Sequence, residues 1–267
     1  MSHGPPHATP SARLPWIVKY GGNAMTDDAT RKATAAALGR AQRDGARIIV
    51  VHGGGPAIAE ALAATGIDSR FVRGRRVTEL AAMPVVEAAL TLLGKRLAQE
   101  IGNALGLTGR DAELLRAEVS DPSLGRVGRM TGVRTDVLLD LLAAGMTPVL
   151  ACLAVDDEGE PLNVNADEVA GAVAGAMAAP VAYLTDVPGV LDDPADPSTV
   201  LPTLDADEAR ARIADGRIGG GMIPKVESAL DALAQGAPSA SILDGRRPDL
   251  VQDAIEGRSG TRLVPSV

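Results

Sequence analysis

A short apolar run, residues 16–20, carries a lysine near its end and is followed at once by Gly21 and Gly22. Such a run is typical of a buried strand. The glycines after it allow positive φ angles and leave backbone N–H groups open to an anion such as phosphate. Lys19 adds a mobile positive charge at the same place. Taken alone, the segment fits equally well a strand that simply ends in a Gly-Gly turn.

A second strand and glycine turn follow in the same order. Residues 28–41 predict a helix, residues 46–51 predict a buried strand, and glycines 53–55 come after His52. Pro56 then stands at the start of a further helix. This is a βαβ pattern, so both glycine turns are expected at the carboxyl edge of a parallel sheet, where ligands bind in such folds.

A third glycine-rich turn, residues 219–221, precedes Lys225 and a predicted helix that extends to residue 235. A helix N-terminus of this kind is a ready anion site, although a mobile surface loop has the same composition. Lysine is scarce in the chain. The 26 Lys and Arg residues include only four lysines, which are Lys19, Lys32, Lys95 and Lys225. Two of the four lie beside glycine turns, which favours a role for a compact ammonium group there.

The rest of the chain continues the alternation of strands and helices. Residues 79–105 predict a long helix, residues 120–135 a loop, and residues 147–153 a single buried strand. The other predicted elements are strands at 105–108, 114–119, 181–184, 239–243 and 261–264, and helices at 136–144, 205–215 and 248–255. The pattern predicts an α/β fold with a mainly parallel sheet.

Composition limits the classes of function. The chain has 267 residues, of which 46% are hydrophobic, enough for one large domain or two packed lobes. A net charge of −8 argues against nucleic acid or an anionic membrane as the main partner. The apolar stretch 169–184 is shorter than a spanning helix requires. Residues 1–15 resemble a flexible leader, and the single cysteine, Cys152, suits a reducing cytoplasm.

Two polar segments are further candidates for ligand binding. Residues 70–77 predict a cationic hairpin, in which an arginine fork would suit a carboxylate, although charged edge strands are also protective. Asn163, Asn165 and Asp167 alternate on an extended segment that leads into a helix, so they are expected on one side. A helix cap at Asn165 or Asp167 explains the same residues equally well.

Common signatures of other enzymes are absent from the sequence. It has no GxxxxGK[ST] phosphate loop, no GxSxG nucleophile motif and no third glycine of a dinucleotide fingerprint. Three histidines and one cysteine are too few for a zinc site. Glycine turns, two lysines and an Asn/Asp cluster remain.

In this combination the sequence resembles the amino acid kinase family, and within it the branch that acts on N-acetyl-L-glutamate in arginine biosynthesis. The resemblance extends from residue 16 to residue 264. It is carried by the motifs Val18-Lys19-Tyr20-Gly21-Gly22, Val51-His52-Gly53-Gly54-Gly55-Pro56, Gly74-Arg75-Arg76-Val77-Thr78, Asn163-Val164-Asn165-Ala166-Asp167, Thr185-Asp186-Val187-Pro188-Gly189-Val190-Leu191, Gly221-Met222-Ile223-Pro224-Lys225 and Gly260-Thr261-Arg262.

The resemblance implies an open αβα sandwich. It implies an N-terminal lobe, residues 16–178, that binds the acyl amino acid and a C-terminal lobe, residues 179–267, that binds ATP. It further implies that Lys19 and Lys225 stabilise the transferring phosphoryl group while Asp167 positions both lysines. The implied substrate-binding residues are Gly54, Gly55, Arg76 and Asn163. The implied ATP-binding residues are Gly21, Gly22, Asp186, Val187, Pro188, Gly189, Val190, Leu191, Arg217, Ile218 and Gly219.

The expected reaction phosphorylates the side-chain carboxylate of N-acetyl-L-glutamate with ATP, and Mg²⁺ is held through the ATP phosphates rather than by a protein metal site. Two alternatives stay open. One is a sister kinase for a carrier-linked aminoadipate or glutamate, in which Arg70, Arg73 and Arg75 face an acidic carrier. The other is a nucleotide-binding sensor without turnover. We expect a homodimer, although residues 20–25 resemble arginine-inhibited hexameric members of the family.

Overall fold

The computed structural model describes residues 14–21, 25, 27–72, 74–193, 195–196, 198–255 and 258–266. Most of the predicted leader, together with Gly22 and Arg73, lies outside these ranges. The strands are β1 (Trp16–Tyr20), β2 (Ile48–His52), β3 (Phe71–Val72), β4 (Arg75–Arg76), β5 (Ala104–Leu107), β6 (Leu115–Val119), β7 (Gly128–Val133), β8 (Thr147–Ala151), β9 (Leu153–Val155), β10 (Pro161–Asn163), β11 (Val181–Thr185), β12 (Thr203–Asp205), β13 (Ala240–Asp244) and β14 (Thr261–Val264). The helices are α1 (Asp28–Arg43), α2 (Gly55–Ala64), α3 (Met83–Ile101), α4 (Thr135–Ala143), α5 (Ala166–Ala176), α6 (Ala206–Ala214), α7 (Ile223–Ala234) and α8 (Val251–Ile255).

Eight strands form the central sheet, in the order β12-β14-β13-β11-β1-β2-β8-β5. Neighbouring strands are parallel except for the pair β13 and β14. The first strand in the sequence therefore lies in the middle, between β2 and β11. The prediction of a mainly parallel sheet is confirmed. The carboxyl ends of β1, β2 and β11 meet at one edge, beside the point where the strand order reverses.

Helices cover both faces of this sheet. Side chains along β1 alternate, so Ile17 packs in one core cluster and Val18 and Tyr20 pack in the other. The cluster of Val18 includes Leu38 of α1, whereas the cluster of Ile17 includes Val169 of α5 and residues of α7. The three layers form the αβα sandwich that the sequence predicted. Lys19 follows Val18, so its side chain lies on the α5 face.

A smaller sheet in the order β10-β9-β6-β7 was not predicted. Residues 120–135 were expected to form a loop, and that prediction is wrong, because β7 lies within this stretch. Glycine and arginine weaken the strand signal of β7. Gly128 is nonetheless suited to its place, because a Cβ there would lie only 3.0 Å from the Cβ of Leu162.

The predicted single strand at residues 147–153 is also wrong in detail. The chain bends at Cys152, so β8 belongs to the central sheet and β9 to the smaller one. The carbonyl of Cys152 accepts a hydrogen bond of 3.1 Å from the backbone N–H of Val164, which fixes this bend. A continuous apolar run carries no signal for such a change of partner strand.

The long helix expected at residues 79–105 is shorter in the structure. A 3-10 turn precedes α3, Pro84 lies in the first turn of the helix, and Gly102 ends it with a φ of 110°. The other predicted strands and helices agree closely with the elements found, and β12 adds a short strand that was not predicted. Within the described ranges, none of the helices is both long and apolar enough to cross a membrane.

The close packing of α5 against α7 gives a test of the fold. A Cβ at Gly175 would lie 2.4 Å from the carbonyl oxygen of Gln235, whereas a Cβ at Gly171, one turn earlier, meets nothing nearer than 3.5 Å. We expect Gly171→Ala to stabilise the protein by up to about 1 kcal/mol through helix propensity. Gly175→Ala should instead lower the free energy of unfolding by about 1–3 kcal/mol, because the backbones must separate.

Chemical denaturation of the two variants and the native chain measures this difference. Both substitutions replace glycine by alanine within α5 and so bring the same gain in helix propensity, which makes each variant the control for the other. Equal stability of both variants would contradict the packing described for α5 and α7.

Candidate active site

The predicted catalytic residues meet at the carboxyl edge of the central sheet. Lys19 is the penultimate residue of β1, and Asp167 lies in the first turn of α5 after the N-cap Asn165. The Asn165 side chain accepts a hydrogen bond of 3.0 Å from the Asp167 N–H, so the cap interpretation holds for Asn165. Lys19 Nζ and Asp167 Oδ1 are 2.9 Å apart, with the lysine side chain 13% exposed.

The second lysine approaches from the other half of the sheet. Lys225 lies in the first turn of α7, and its Nζ is 3.5 Å from Oδ1 of Asp186, the residue that follows β11. The same Nζ donates to the carbonyl of Gly221 at 3.3 Å. The resemblance implied that Asp167 positions both lysines. Here Asp167 pairs with Lys19, and Lys225 pairs with Asp186.

Both lysines and both carboxylates line one cavity of about 290 Å³, which we call the lysine cavity. Its walls come from the ends of β1 and β11 and from the start of α7. The lining residues are Lys19, Gly21, Asp167, Tyr183, Leu184, Thr185, Asp186, Pro224, Lys225 and Ser228. Two positive charges in one cavity can neutralise a phosphoryl group.

A second cavity of about 310 Å³, the arginine cavity, contains all four predicted substrate-binding residues. Its lining residues are Gly53, Gly54, Gly55, Ile58, Phe71, Gly74, Arg75, Arg76, Val127, Cys152, Asn163, Val164, Asn165, Ala166 and Asp167. Asp167 lines both cavities. The site therefore has the guanidinium groups of Arg75 and Arg76 at one end and two ammonium groups at the other.

Arg76 is held in place by neutral partners. Its Nη2 donates to the carbonyl of Gly55 at 2.9 Å, its Nη1 donates to the Ser69 hydroxyl, and its guanidinium lies 4.6 Å from the Phe71 ring centroid. The residue is only 7% exposed, and burial lowers its pKa. Among the described residues no carboxylate pairs with Arg76. A buried guanidinium without a counter-ion is well suited to a ligand carboxylate.

The second glycine turn is shaped by close packing. A Cβ at Gly54 would lie 2.7 Å from Leu90 of α3, and Gly54 is also the residue that precedes α2. The Gly53 N–H donates to the Tyr20 carbonyl at 3.2 Å, so the first two glycine turns are joined directly. The turn thus brings bare backbone and the start of α2 to the arginine cavity.

Only some of the predicted ATP-binding residues line the lysine cavity. Gly21 and Asp186 do, and Gly22 lies outside the described residues. The other predicted ATP-binding residues are described by the structure but do not line this cavity. Of these, Val190 and Ile218 are buried, and Arg217 pairs with Asp215 at 2.6 Å. Val187, Pro188, Gly189 and Leu191 belong to the loop after β11, and Gly219 precedes the 3-10 turn before α7.

Sequence reasoning missed several residues of the lysine cavity. Tyr183 is paired in register with Lys19, and its hydroxyl donates to the Ser228 carbonyl at 3.1 Å, which joins β11 to α7. Thr185 and Pro224 complete this wall. Thr185 and Pro224 belong to the motifs that carry the resemblance, which was the available signal for them, whereas Tyr183 lies outside those motifs.

The chain is similar to several known proteins. The sequence profile of the amino acid kinase family matches residues 15–244. Acetylglutamate kinase of Deinococcus radiodurans is 54% identical over 249 residues, which cover 93% of this chain and 100% of that protein. Acetylglutamate kinase of Thermus thermophilus is 48% identical over 254 residues, covering 94% and 98%. The crystal structure of a Streptococcus mutans protein superposes with a TM-score of 0.75 at 29% identity, covering 93% and 98%.

His52, at the end of β2, gives a pH-dependent test of this edge of the sheet. The ring is fully buried, its Nδ1 donates to the Gly53 carbonyl at 3.0 Å, and its Nε2 has no hydrogen-bond partner among the described residues. Burial lowers the pKa of His52 from 6.5 to about 4. Because the folded pKa lies below the unfolded one, unfolding takes up a proton, and stability is lost as the pH falls from 6.5 towards 4.

We expect this group to lower the free energy of unfolding by about 2 kcal/mol between pH 7 and pH 5. Urea unfolding of the native chain and of His52→Asn at both values measures it. Asparagine keeps an N–H donor for the Gly53 carbonyl but does not titrate, so the variant should lose less stability on acidification. An identical loss in both proteins would exclude His52 as the cause.

Proposed function

This chain belongs to the amino acid kinase family, and from that premise we propose that it transfers the γ-phosphoryl group of ATP to the side-chain carboxylate of N-acetyl-L-glutamate. The products are ADP and N-acetyl-L-glutamyl 5-phosphate, and the reaction belongs to arginine biosynthesis. The observation that carries the proposal is that Arg76 is buried, has no carboxylate partner among the described residues, and lies in a cavity that shares Asp167 with the lysine cavity. A substrate with two carboxylates matches this arrangement.

The α-carboxylate of the substrate pairs with Arg76, and the side-chain carboxylate extends towards Asp167 and the lysines. Gly54 and Gly55 supply backbone contacts, and Asn163, which is 9% exposed, supplies a polar one. Phe71 lies over the Arg76 guanidinium and limits the orientations that this fork can adopt. The acceptor carboxylate is then held between the two cavities, which supplies the positioning that phosphoryl transfer requires.

Charge neutralisation by Lys19 and Lys225 is the chemical contribution of the chain. A carboxylate acceptor is already ionised at neutral pH, so the reaction needs no general base. This agrees with the surroundings of His52, whose pKa is about 4 and which lines neither cavity. Asp167 orients Lys19, and Asp186 pairs with Lys225 until a more highly charged phosphate group competes for it.

ATP binds in the proposal from the side of β11 and α7, in a C-terminal lobe of residues 179–267, while residues 16–178 bind the acyl amino acid. The loop at 186–191 and residues 217–219 line the nucleotide beyond its phosphates. Among the described residues, no group of three or more His, Cys, Asp or Glu side chains is arranged to hold a metal ion. We assign Mg²⁺ to the ATP phosphates, as the resemblance to the family implies; it would bind together with the nucleotide. We place the reaction in the cytoplasm, since a chain with the single cysteine Cys152 suits a reducing compartment.

A hydroxamate assay with ATP, Mg²⁺ and free N-acetyl-L-glutamate tests the proposed function, because hydroxylamine traps the acyl phosphate. Product from a carrier-linked amino acid alone would favour the sister kinase. Arg75, one of the arginines assigned to that carrier, pairs instead with Glu168 at 3.6 Å. Nucleotide binding without product from either substrate would favour the sensor.

Replacement of either lysine tests the chemistry. We expect Lys19→Ala and Lys225→Ala each to lower kcat by about 10²–10³-fold with a much smaller change in the KM for N-acetyl-L-glutamate, because these charges act mainly in the transition state. Lys95→Ala is the matched control, since Lys95 Nζ donates to the Gly106 carbonyl and lines neither cavity. An unchanged kcat in both lysine variants would overturn the mechanism.

We further propose a homodimer formed across β5. This strand is an edge of the central sheet, and an edge strand is a place where a second copy can extend a sheet. Leu92 of α3 is 63% exposed, and Leu105 of β5 is also exposed on this side. An exposed leucine on a long helix beside an open edge is typical of an interface between copies.

Light scattering on a sizing column tests the dimer. We expect twice the 27.2 kDa mass of the chain, and a shift towards the monomer in Leu92→Glu because a charge there cannot be buried without a partner. Leu139→Glu is the control, as Leu139 is an exposed leucine on α4. A native monomer or hexamer would contradict the proposal.

A further inference from the structure

Thr78 stands two residues after Arg76 and is completely buried. Its backbone is held on both sides by the segment before β7. The Thr78 N–H donates to the Leu124 carbonyl at 2.9 Å, and the Thr78 carbonyl accepts from the Arg126 N–H at 2.6 Å. Because the N–H and the carbonyl of Thr78 are both used in these hydrogen bonds, its hydroxyl is the remaining polar group.

The hydroxyl of Thr78 connects two residues of the arginine cavity. It accepts a hydrogen bond of 3.1 Å from Nδ2 of Asn163 and donates one of 3.1 Å to the Arg76 carbonyl. A hydroxyl has a single proton. Since that proton is used on Arg76, the oxygen can only accept from Asn163, and the amide must present its NH₂ group to Thr78.

We propose that Thr78 is a positioning residue for substrate binding, which sets the place of Arg76 relative to Asn163 and fixes the orientation of the Asn163 amide. The inference rests on the proposed function, in which both residues bind the part of the acyl amino acid that does not react. Arg76 and Asn163 come from β4 and β10, which belong to different sheets. Their backbones are linked through Arg126, whose N–H donates to the Thr78 carbonyl at 2.6 Å and whose carbonyl accepts from the Asn163 N–H at 2.9 Å. The Thr78 hydroxyl adds a side-chain contact to this link, and it holds the Asn163 amide.

Removing a positioning hydroxyl has a different effect from removing one that only stabilises the fold. Without the Thr78 hydroxyl, the Asn163 amide loses its buried acceptor and is free to rotate by half a turn, which exchanges its carbonyl and NH₂ groups in the cavity. The β4 backbone at Arg76 also loses a contact. Both effects weaken ground-state and transition-state binding alike, so they raise KM for the acyl amino acid and leave kcat nearly unchanged. Loss of stability alone would leave KM unchanged.

Three variants test the proposal through steady-state kinetics of the native-length protein. Thr78→Val keeps the shape and removes the hydroxyl, Thr78→Ser keeps the hydroxyl, and Thr147→Val removes a buried hydroxyl that has no partner among the described residues. We expect Thr78→Val to raise the KM for N-acetyl-L-glutamate about tenfold, with the KM for ATP and kcat within about threefold of the native values. Thr78→Ser should restore KM to within about threefold, and Thr147→Val should leave it unchanged.

The proposal fails if Thr78→Val leaves the KM for N-acetyl-L-glutamate within twofold, if both KM values rise equally, or if Thr78→Ser does not rescue. A double-mutant cycle separates this failure from failure of the proposed function. In urea unfolding, Thr78→Val and Asn163→Ala should be coupled, so that their combined effect on the unfolding equilibrium constant is about three- to tenfold smaller than the product of the single effects.

This coupling is measurable even if the native chain makes no acyl phosphate from N-acetyl-L-glutamate. In that case the coupling, together with a rise in KM for the carrier-linked substrate, would support the positioning role of Thr78, although the assignment of N-acetyl-L-glutamate as the substrate would be wrong. Absence of coupling would overturn the role of Thr78 whatever the substrate is.

Discussion

Lys19 and Asp167 form a 2.9 Å ion pair between the end of the central strand and the first turn of α5. Because β1 lies between β2 and β11, this contact stands where the two halves of the sheet meet. Asp167 lines both cavities, so in the proposed reaction the ion pair lies between the site of the acceptor carboxylate and the site of the ATP phosphates. The ion pair offsets part of the desolvation of the Lys19 side chain, which is only 13% exposed.

Arg76 differs in its surroundings from most other arginines of this acidic protein. The chain carries a net charge of −8, and most ion pairs of its arginines involve exposed side chains, as in Arg217 with Asp215. Arg76 differs, because it is buried, held by neutral acceptors and free of any carboxylate among the described residues. Desolvation of this guanidinium is compensated fully only when an anionic ligand binds, which links affinity and specificity at one residue.

The parts of the fold that the sequence could predict are those with local signals. Apolar runs that end in glycine identified β1 and β2. The smaller sheet had no such signal, because the break at Cys152 and the packing of Gly128 against Leu162 depend on distant strands. Likewise Lys19 and Arg76 were recognisable from their motifs, whereas Thr78 and Tyr183 are residue types of any core, and their roles depend on contacts with Asn163 and Ser228.

The two lysines are held to different degrees, and this difference bears on the proposed transfer. Lys19 extends from a central strand and is 13% exposed, whereas Lys225 follows a glycine-rich turn, is 28% exposed and lies 3.5 Å from its carboxylate. Gly220 in that turn has a φ of 54°, a conformation that suits glycine. In the proposed mechanism, Lys19 is the fixed charge and Lys225 is the charge that can follow the phosphoryl group. A charge whose contact strengthens as the group moves stabilises the transition state more than the bound ATP, which is the requirement for a gain in kcat.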